Sequence, residues 1–194
     1  MGFHPSSARL PEETGSAGLR FRSRTARWAR ALLVALLLGM VTVQQPAGSQ
    51  AAPSGGIVRL GYSAAQSEFD AQAEGRILEL LNQLRLSQKV PPVVMDARLQ
   101  RLARAHSRDM AMRGYVGHDS PEKAFLDRIG QVVPPGTFVG ENVTVAQTAE
   151  HAFRAFAASP PHRQNMLRPQ FRRVGIGVAT AGRLGIMVTQ DFSE

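Results

Sequence analysis

The sequence contains no cysteine, and its longest apolar run covers only residues 31–43. The absence of cysteine excludes disulfides and thiolate metal centres, so the folded state depends on core packing and hydrogen bonds. A run of 13 residues is shorter than the roughly 20 that a helix needs to cross a bilayer comfortably. With 194 residues and 43% apolar content, we expect one globular domain and an additional processed segment.

The positive charge of the chain is concentrated near its start. The first 51 residues contain six arginines and two glutamates, and without them the formal net charge falls from +8 to +4. A nucleic-acid-binding domain needs a clustered basic face and not only a basic total. We therefore expect no nucleic-acid partner, and at most weak attraction to anionic polymers of a cell surface.

Residues 1–51 have the pattern of a secretory signal peptide. An arginine-rich stretch precedes the apolar run of residues 31–43, and the small-residue segment Ser49-Gln50-Ala51 follows as a cleavage site. We expect a secreted or cell-envelope protein without a stable membrane span after processing. The alternative is a retained signal that anchors the protein in the membrane. Residues 52–66, beginning Ala-Pro-Ser-Gly-Gly, are interpreted as a flexible linker.

The remaining residues, 67–194, predict helices first and strands last. Apolar residues with helical spacing predict a helix over 68–88, and a second helix is expected from Asp96 to Arg113, with His106 facing the core. A short helix is expected to start after Ser120, and a further one to cover 148–158 and stop at Pro160. Two short apolar bursts, 174–179 and 184–192, predict a hairpin. This order indicates an α+β domain.

Five motifs in this region resemble the bacterial branch of the CAP superfamily, which includes cysteine-rich secretory proteins, antigen 5 and plant pathogenesis-related proteins. The resemblance extends over about residues 67–193. The motifs are Gly117-His118-Asp119-Ser120-Pro121, Gly140-Glu141-Asn142, Ser159 to Leu167, Val174-Gly-Ile-Gly-Val178 and Thr189-Gln190-Asp191-Phe192.

This resemblance implies a three-layer α-β-α sandwich with a central antiparallel sheet and an open cleft. In eukaryotic members the cleft holds two histidines and two glutamates that bind a divalent cation. By position, His118 and Glu141 match the first residue of each kind. Ser159 and Met187 stand where the second glutamate and second histidine are expected, so the four-ligand site is incomplete.

The bacterial pattern offers His162 as a further candidate. His118, Glu141 and His162 could together ligate a divalent cation such as zinc, because an open zinc site uses three protein ligands and water. This requires the three side chains to converge at a cleft that solvent reaches. Ser120, Asn142 and Asn165 complete the predicted cleft. In the alternative, structural interpretation, His118 organises a loop, Glu141 fixes a turn, His162 caps a helix and Asn165 bonds loop backbone.

Three functions remain open from the sequence. The first is a non-enzymatic binding module for a small ligand, a lipid or a cell-envelope component. The second is a peptidase-like hydrolase in which a histidine acts as general base, with Glu141 orienting it or a bound metal polarising the substrate. The third is an envelope interaction protein that uses its outer surface. Ser120 and Ser159 are weak candidates for a nucleophile, because a serine triad is defined by geometry.

Overall fold

A computed structural model of the protein describes residues 56–194 and the backbone of a short strand at Val41–Val43. The other residues of the predicted leader and linker lie outside the described part. Five helices are present in that part: α1 (Ala71–Ser87), α2 (Ala97–Arg113), α3 (Phe125–Ile129), α4 (Ala149–Ala158) and α5 (Pro160–Leu167). The strands are β1 (Val41–Val43), β2 (Val58–Arg59), β3 (Val94–Met95), β4 (Tyr115–Val116), β5 (Val139–Ala146), β6 (Arg173–Thr180) and β7 (Ile186–Ser193).

The main sheet has the order β1-β5-β7-β6-β3. Neighbouring strands are antiparallel except at one edge, where the two-residue β3 runs parallel to β6. Strands β6 and β7 form the predicted hairpin, although Leu184 belongs to the 3₁₀ turn Gly182–Leu184 and not to the strand. A separate ribbon pairs β2 with β4.

The sheet lies between two helical layers, which confirms the predicted α-β-α sandwich. Even-numbered residues of the hairpin, such as Ile176 and Val188, pack in one core cluster with Ile77 of α1 and Phe156 of α4. Odd-numbered residues face α2 instead, and Met187 packs with Met110 there. Because side chains alternate along a strand, each face of the sheet has its own core.

Glycines in β6 allow α2 to lie directly against the sheet. A Cβ on Gly175 would overlap the backbone of Leu99, and a Cβ on Gly177 would overlap the backbone of Ala103. The Val-Gly-Ile-Gly-Val segment therefore has apolar side chains on one face and almost no side chain on the other. This close approach fixes how far α2 stands from the strands that carry the site.

The two helical layers are joined around the β6 edge by Glu74, a buried acid of α1. Its carboxylate accepts hydrogen bonds from Arg104 of α2 at 2.8 and 2.6 Å, and from Gln100 at 3.0 Å. The backbone N–H of Val178 on β6 also donates to it at 3.2 Å. Glu74 thus connects α1, α2 and the sheet in one network.

The long helices agree with the sequence predictions. Asp96 caps α2 by accepting hydrogen bonds from two backbone N–H groups, and Gly114 ends the helix in the left-handed conformation. Thr148 caps α4 in the same way. Within residues 56–194, no helix has the length and apolar content required to cross a bilayer.

Two local predictions were wrong, and one strand was missed. The helix expected after Ser120 starts only at Phe125, because Ser120 closes its own turn by bonding the backbone of Lys123. The chain does not leave helical structure at Pro160, since proline is tolerated in the first turn and a new helix, α5, starts there. Strand β5, which carries Glu141, was not predicted.

The prediction of a flexible linker at residues 52–66 is also wrong for the part of it that the structure describes. Residues 58 and 59 form β2, and the N–H of Leu60 donates to the Gly114 carbonyl at 2.9 Å. The N–H of Ala64 donates to the Ala111 carbonyl at 2.9 Å. Residues 57–64 therefore pack on α2 and β4 as part of the domain.

Candidate functional site

His118 and Glu141 meet under the layer that contains α2. His118 follows the short strand β4, and Glu141 lies in β5 with its side chain on the odd-numbered face. The His118 Nδ1 and Glu141 Oε1 atoms are 2.9 Å apart. Both side chains have 0% of their surface exposed. The predicted pairing of these two residues is therefore present, but inside the protein.

Arg128, at the end of α3, completes this pair. Its guanidinium donates to Glu141 Oε2 at 2.7 Å and to the His118 carbonyl at 2.7 Å. One cation thus holds both the acid and the loop backbone that carries the histidine. Arg128 was not among the predicted site residues; its spacing of three residues from the apolar Phe125, on the buried side of a short helix, was the available signal.

Asp191 is the fourth member of this buried cluster. It lies directly opposite Glu141 in the β5–β7 pair, so the two carboxyl side chains share one face of the sheet. Asp191 is 1% exposed, and neither of its carboxyl oxygens receives a hydrogen bond from a donor among the described residues. Its place in the Thr-Gln-Asp-Phe motif was noted, but a buried carboxyl was not predicted.

The two carboxyl groups have opposite pKa shifts. Burial raises the pKa of Asp191 well above its ordinary value, and the negative charge of Glu141 raises it further. Burial acts in the same direction on Glu141, but the charge of Arg128, together with His106 and His118, outweighs it and lowers the pKa of Glu141 to about 2. Glu141 is therefore the ionised member of the pair, and Asp191 keeps its proton.

His106 lies beside this cluster, on the inner side of α2 as predicted. Its Nε2 atom is 2.8 Å from the carbonyl oxygen of Gly117, the residue before His118. Burial lowers the pKa of His106 to about 4. His106 is consequently neutral at physiological pH, and its Nε2–H donates a hydrogen bond to the Gly117 carbonyl.

His162 lies on the other side of the sheet. Glu141 and Asn142 are consecutive residues of β5, so their side chains point to opposite faces. Asn142 donates from Nδ2 to the His162 carbonyl at 3.1 Å, and the His162 ring packs edge-on against Phe156 of α4. His162 itself is in α5, not in the turn that the sequence suggested.

The expected convergence of His118, Glu141 and His162 is therefore wrong, because the sheet separates His162 from the other two. All three side chains are fully buried, so they do not form an open cleft. Within residues 56–194, no three histidine, aspartate or glutamate side chains are arranged to hold a metal ion. The Arg128 guanidinium also bonds Glu141 Oε2, while His118 pairs with Oε1. These residues therefore do not fit the predicted three-ligand zinc site.

Asn142 and Asn165 form a separate buried network with Gln190. Asn142 Nδ2 also donates to Gln190 Oε1 at 3.0 Å, and Asn165 Nδ2 donates to Asn142 Oδ1 at 3.0 Å. A further bond of 3.2 Å joins Asn165 Nδ2 to the backbone carbonyl of Glu141. This network attaches α5 to the sheet, in agreement with the structural interpretation of Asn165.

The predicted serines are apart from the cluster. Ser120 is half-buried and uses its hydroxyl within its own turn, where it accepts from the N–H of Lys123 at 2.9 Å. Ser159 lies at the junction of α4 and α5, in the layer opposite His118. The structure therefore does not bring either serine to the His118–Glu141 pair.

Two adjoining surface cavities open near the start of β5. One, of about 220 Å³, is lined by apolar residues such as Leu99 and Val133 and by charged residues of both signs: Arg98, Arg173, Asp96 and Glu194. The side chains that line the other, of about 180 Å³, are apolar except for Thr137. That lining includes Leu126, Ile129, Val133, Pro135 and Val139. Since Val133, Pro134 and Thr137 line both cavities, they form one mainly apolar face.

A sheet between two helical layers, with a buried histidine–glutamate pair under one of them, defines the class of CAP-type α-β-α sandwiches. The chain belongs to the cysteine-rich secretory protein (CAP) family, whose family model matches residues 78–192. It is 33% identical over 121 residues to the uncharacterized protein YkwD of Bacillus subtilis, covering 61% of this chain and 46% of that protein.

Solved structures show the same fold. An extracellular protein containing an SCP domain from Bacillus anthracis has a TM-score of 0.56 and 28% identity, covering 63% of this chain and 40% of its own. An outer surface protein of Borrelia burgdorferi has a TM-score of 0.60 at 11% identity, and the match covers 66% of this chain and 98% of that protein. At this identity the likeness shows only that the fold is shared. The chain thus spans less than half the length of the two Bacillus relatives.

Proposed function

We propose that the protein is an exported, non-enzymatic binding module that recognises a small apolar ligand, a lipid or another cell-envelope component. Membership of the CAP family and the similarity to an extracellular protein of Bacillus anthracis support export. The predicted signal peptide at residues 1–51 also supports export. In this proposal the mature domain is secreted or held in the envelope.

One observation favours binding over hydrolysis: both carboxylate oxygens of Glu141 are already engaged inside the protein. Oε1 is paired with His118 and Oε2 with Arg128. A general base works best when its pKa is close to the operating pH, and the pKa of Glu141 is only about 2. The cluster is suited to holding the Gly117–Arg128 segment against the sheet, and it offers no accessible base to a substrate.

The ligand in this proposal occupies the two adjoining cavities. Binding sites for small molecules are mostly apolar, with a few polar groups that orient the ligand. The apolar walls at Val133 and Ile129 have this character, and the charged side chains of both signs, Arg98, Arg173, Asp96 and Glu194, lie at one end. An amphiphile with an apolar body and a polar end matches that distribution.

The test is a paired binding and turnover experiment on the full chain. Lipids and envelope glycans are screened for saturable binding, and peptide and ester substrates are assayed with and without a chelator. Val133→Glu, which places a charge in both cavities, is expected to weaken binding by about tenfold or more. Gln131→Glu, at a solvent-facing position outside both linings, is the matched control and retains binding.

The outcome that would overturn the proposal is turnover without saturable binding. Hydrolysis that is lost in both Glu141→Gln and His118→Ala would establish the hydrolase instead. Partner binding that survives Val133→Glu but is abolished by changes elsewhere on the surface would establish the surface-interaction alternative.

A further inference from the structure

The outer edge of β5 offers backbone hydrogen-bonding groups next to the apolar cavities. The N–H of Glu194 donates to the Phe138 carbonyl, so the even-numbered residues of this strand bond towards β7. In an antiparallel sheet, alternate residues direct both backbone groups to opposite sides. Val139 and Glu141 therefore direct theirs to the outer edge, where no strand within residues 56–194 pairs with them.

A segment of the chain itself is paired with this edge. The backbone of Val41–Val43 runs antiparallel to β5, with Val41 opposite Glu141 and Val43 opposite Val139. These three residues belong to the apolar run of the predicted leader. Removal of the leader on export would leave the edge at Val139 and Glu141 open in the mature protein.

We infer that the β5 edge at Val139–Glu141 is a binding site for an extended peptide segment, which adds to the sheet as an antiparallel strand in the place of Val41–Val43. Strand addition of this kind takes its affinity from main-chain hydrogen bonds and its specificity from pockets beside the strand. The inference rests on the proposed function, since it assigns a peptide ligand to the edge of the same binding face.

The surroundings of the edge indicate which peptides fit. A residue placed opposite Val139 shares the face of Val139, whose side chain lines the cavity of about 180 Å³. A β-branched or other apolar residue is therefore favoured at that position. The Glu141 carbonyl also accepts a hydrogen bond from Asn165 at 3.2 Å, which leaves its second lone pair for the added strand. The site recognises a short Val-x-Val type of segment.

The experiment uses the full chain and a labelled peptide with the sequence of residues 39–46, Gly-Met-Val-Thr-Val-Gln-Gln-Pro. A Val41→Pro, Val43→Pro double variant loses the two N–H groups that bond to β5, so its own segment is displaced. We expect this variant to bind the peptide about tenfold or more tightly than the unaltered chain does. Thr42→Pro is the matched control, because the Thr42 N–H faces away from β5.

Backbone methylation of the peptide provides a second readout that does not depend on folding of a variant. Methylation of the amide nitrogen equivalent to Val43 is expected to abolish binding to the double variant, and methylation at the Thr42 position to leave it intact. Equal binding of both methylated peptides, or equal binding by all three protein forms, would overturn the inference. Saturable binding of a lipid or glycan in that case would leave the proposed function standing.

Discussion

Glu141 and Asp191 face each other across the β5–β7 strand pair, and both are sealed from solvent under α2. Two carboxyl groups in such a site cannot both ionise without a large cost, because little water is present to screen their repulsion. Arg128 donates a hydrogen bond to Glu141, so its positive charge favours ionisation of Glu141 and not of Asp191. The pair is therefore one carboxylate and one carboxylic acid at neutral pH.

Asp191→Asn tests this assignment through the pH dependence of stability. The raised pKa of Asp191 contributes stability that is complete below about pH 4, the ordinary pKa of aspartate, and is lost as the pH rises through the raised value. Each unit of that shift corresponds to about 1.4 kcal/mol. Asparagine carries no titrating proton, so the variant should show a flatter free energy of unfolding above pH 4, measured by urea denaturation.

Asp127→Asn, on the exposed side of α3, serves as the control for Asp191→Asn. It should reproduce the pH profile of the unaltered protein. An Asp191→Asn profile with the same slope as both would mean that Asp191 is ionised in the folded state.

Arg128→Met should be among the most destabilising substitutions in the domain. It removes the cation from Glu141 and leaves the buried carboxylate without its cationic partner, which costs about 3–5 kcal/mol. Arg154→Met, at an exposed position of α4, should change the free energy of unfolding by only about 0.5 kcal/mol or less. Both values are measured by urea denaturation at pH 7.

The double variant Arg128→Met, Glu141→Gln separates charge from packing. It should recover a substantial part of the lost stability, because the uncompensated charge is then absent. A double variant no more stable than Arg128→Met would show that the arginine acts through its other bond, to the His118 carbonyl, and not through the charge of Glu141.

The sequence predicted the parts of the fold that depend on local patterns. The cap at Asp96 and the inward-facing His106 follow from short-range chemistry and helical spacing, so they were predicted correctly. Strand β5 was missed because it is buried on both faces while carrying Glu141, Asn142 and Thr144. A buried polar strand lacks the alternation of apolar and polar residues by which strands are recognised; Val139, Val143 and Val145 were its remaining signal.

Arg85 is a buried polar residue of a helix, and its burial was likewise not predicted. It follows Leu81 by four residues, on the buried face of α1, and it is 0% exposed although it is charged. Its guanidinium donates to the carbonyls of Pro91 at 2.7 Å, Met166 at 2.7 Å and Phe171 at 2.9 Å. Met166 and Phe171 are 81 and 86 residues from Arg85 in the sequence, so helical periodicity contains no information about these two acceptors. The separation of His162 from His118 could not be predicted from the sequence either, because it depends on which face of β5 each histidine contacts.

His106 should contribute to acid sensitivity of the fold. Its pKa is lowered to about 4 by burial, so its stabilising effect is complete above its ordinary pKa of about 6.5 and is lost as the pH falls through 4. The shift corresponds to about 3 kcal/mol. His106→Gln retains an N–H donor for the Gly117 carbonyl and should unfold with a weaker pH dependence between 6.5 and 4.

The exposed His151 provides the control for this prediction. His151→Gln should leave the pH dependence unchanged. NMR titration of the His106 ring in the folded protein gives an independent measurement, and a midpoint near 6.5 would contradict the neutral, buried state that the structure indicates.

Gly177→Ala tests whether the spacing between α2 and β6 is fixed by the absence of a side chain. A methyl group at this position would overlap the backbone of Ala103 and Arg104, so α2 must move away from the strand. Overpacking of this kind costs about 1–3 kcal/mol. The cost should be accompanied by changed NMR signals at His106 and His118, since α2 covers the cluster that contains them.

Gly75→Ala is a control with the opposite expected sign. Gly75 lies within α1, and nothing is within 4 Å of a Cβ placed there. Alanine has the higher helix propensity, so this substitution should stabilise the protein by up to about 1 kcal/mol. Both variants add the same methyl group. A loss of stability in Gly177→Ala alone would therefore show that the effect comes from the contact between α2 and β6. Equal effects at the two positions would rule it out.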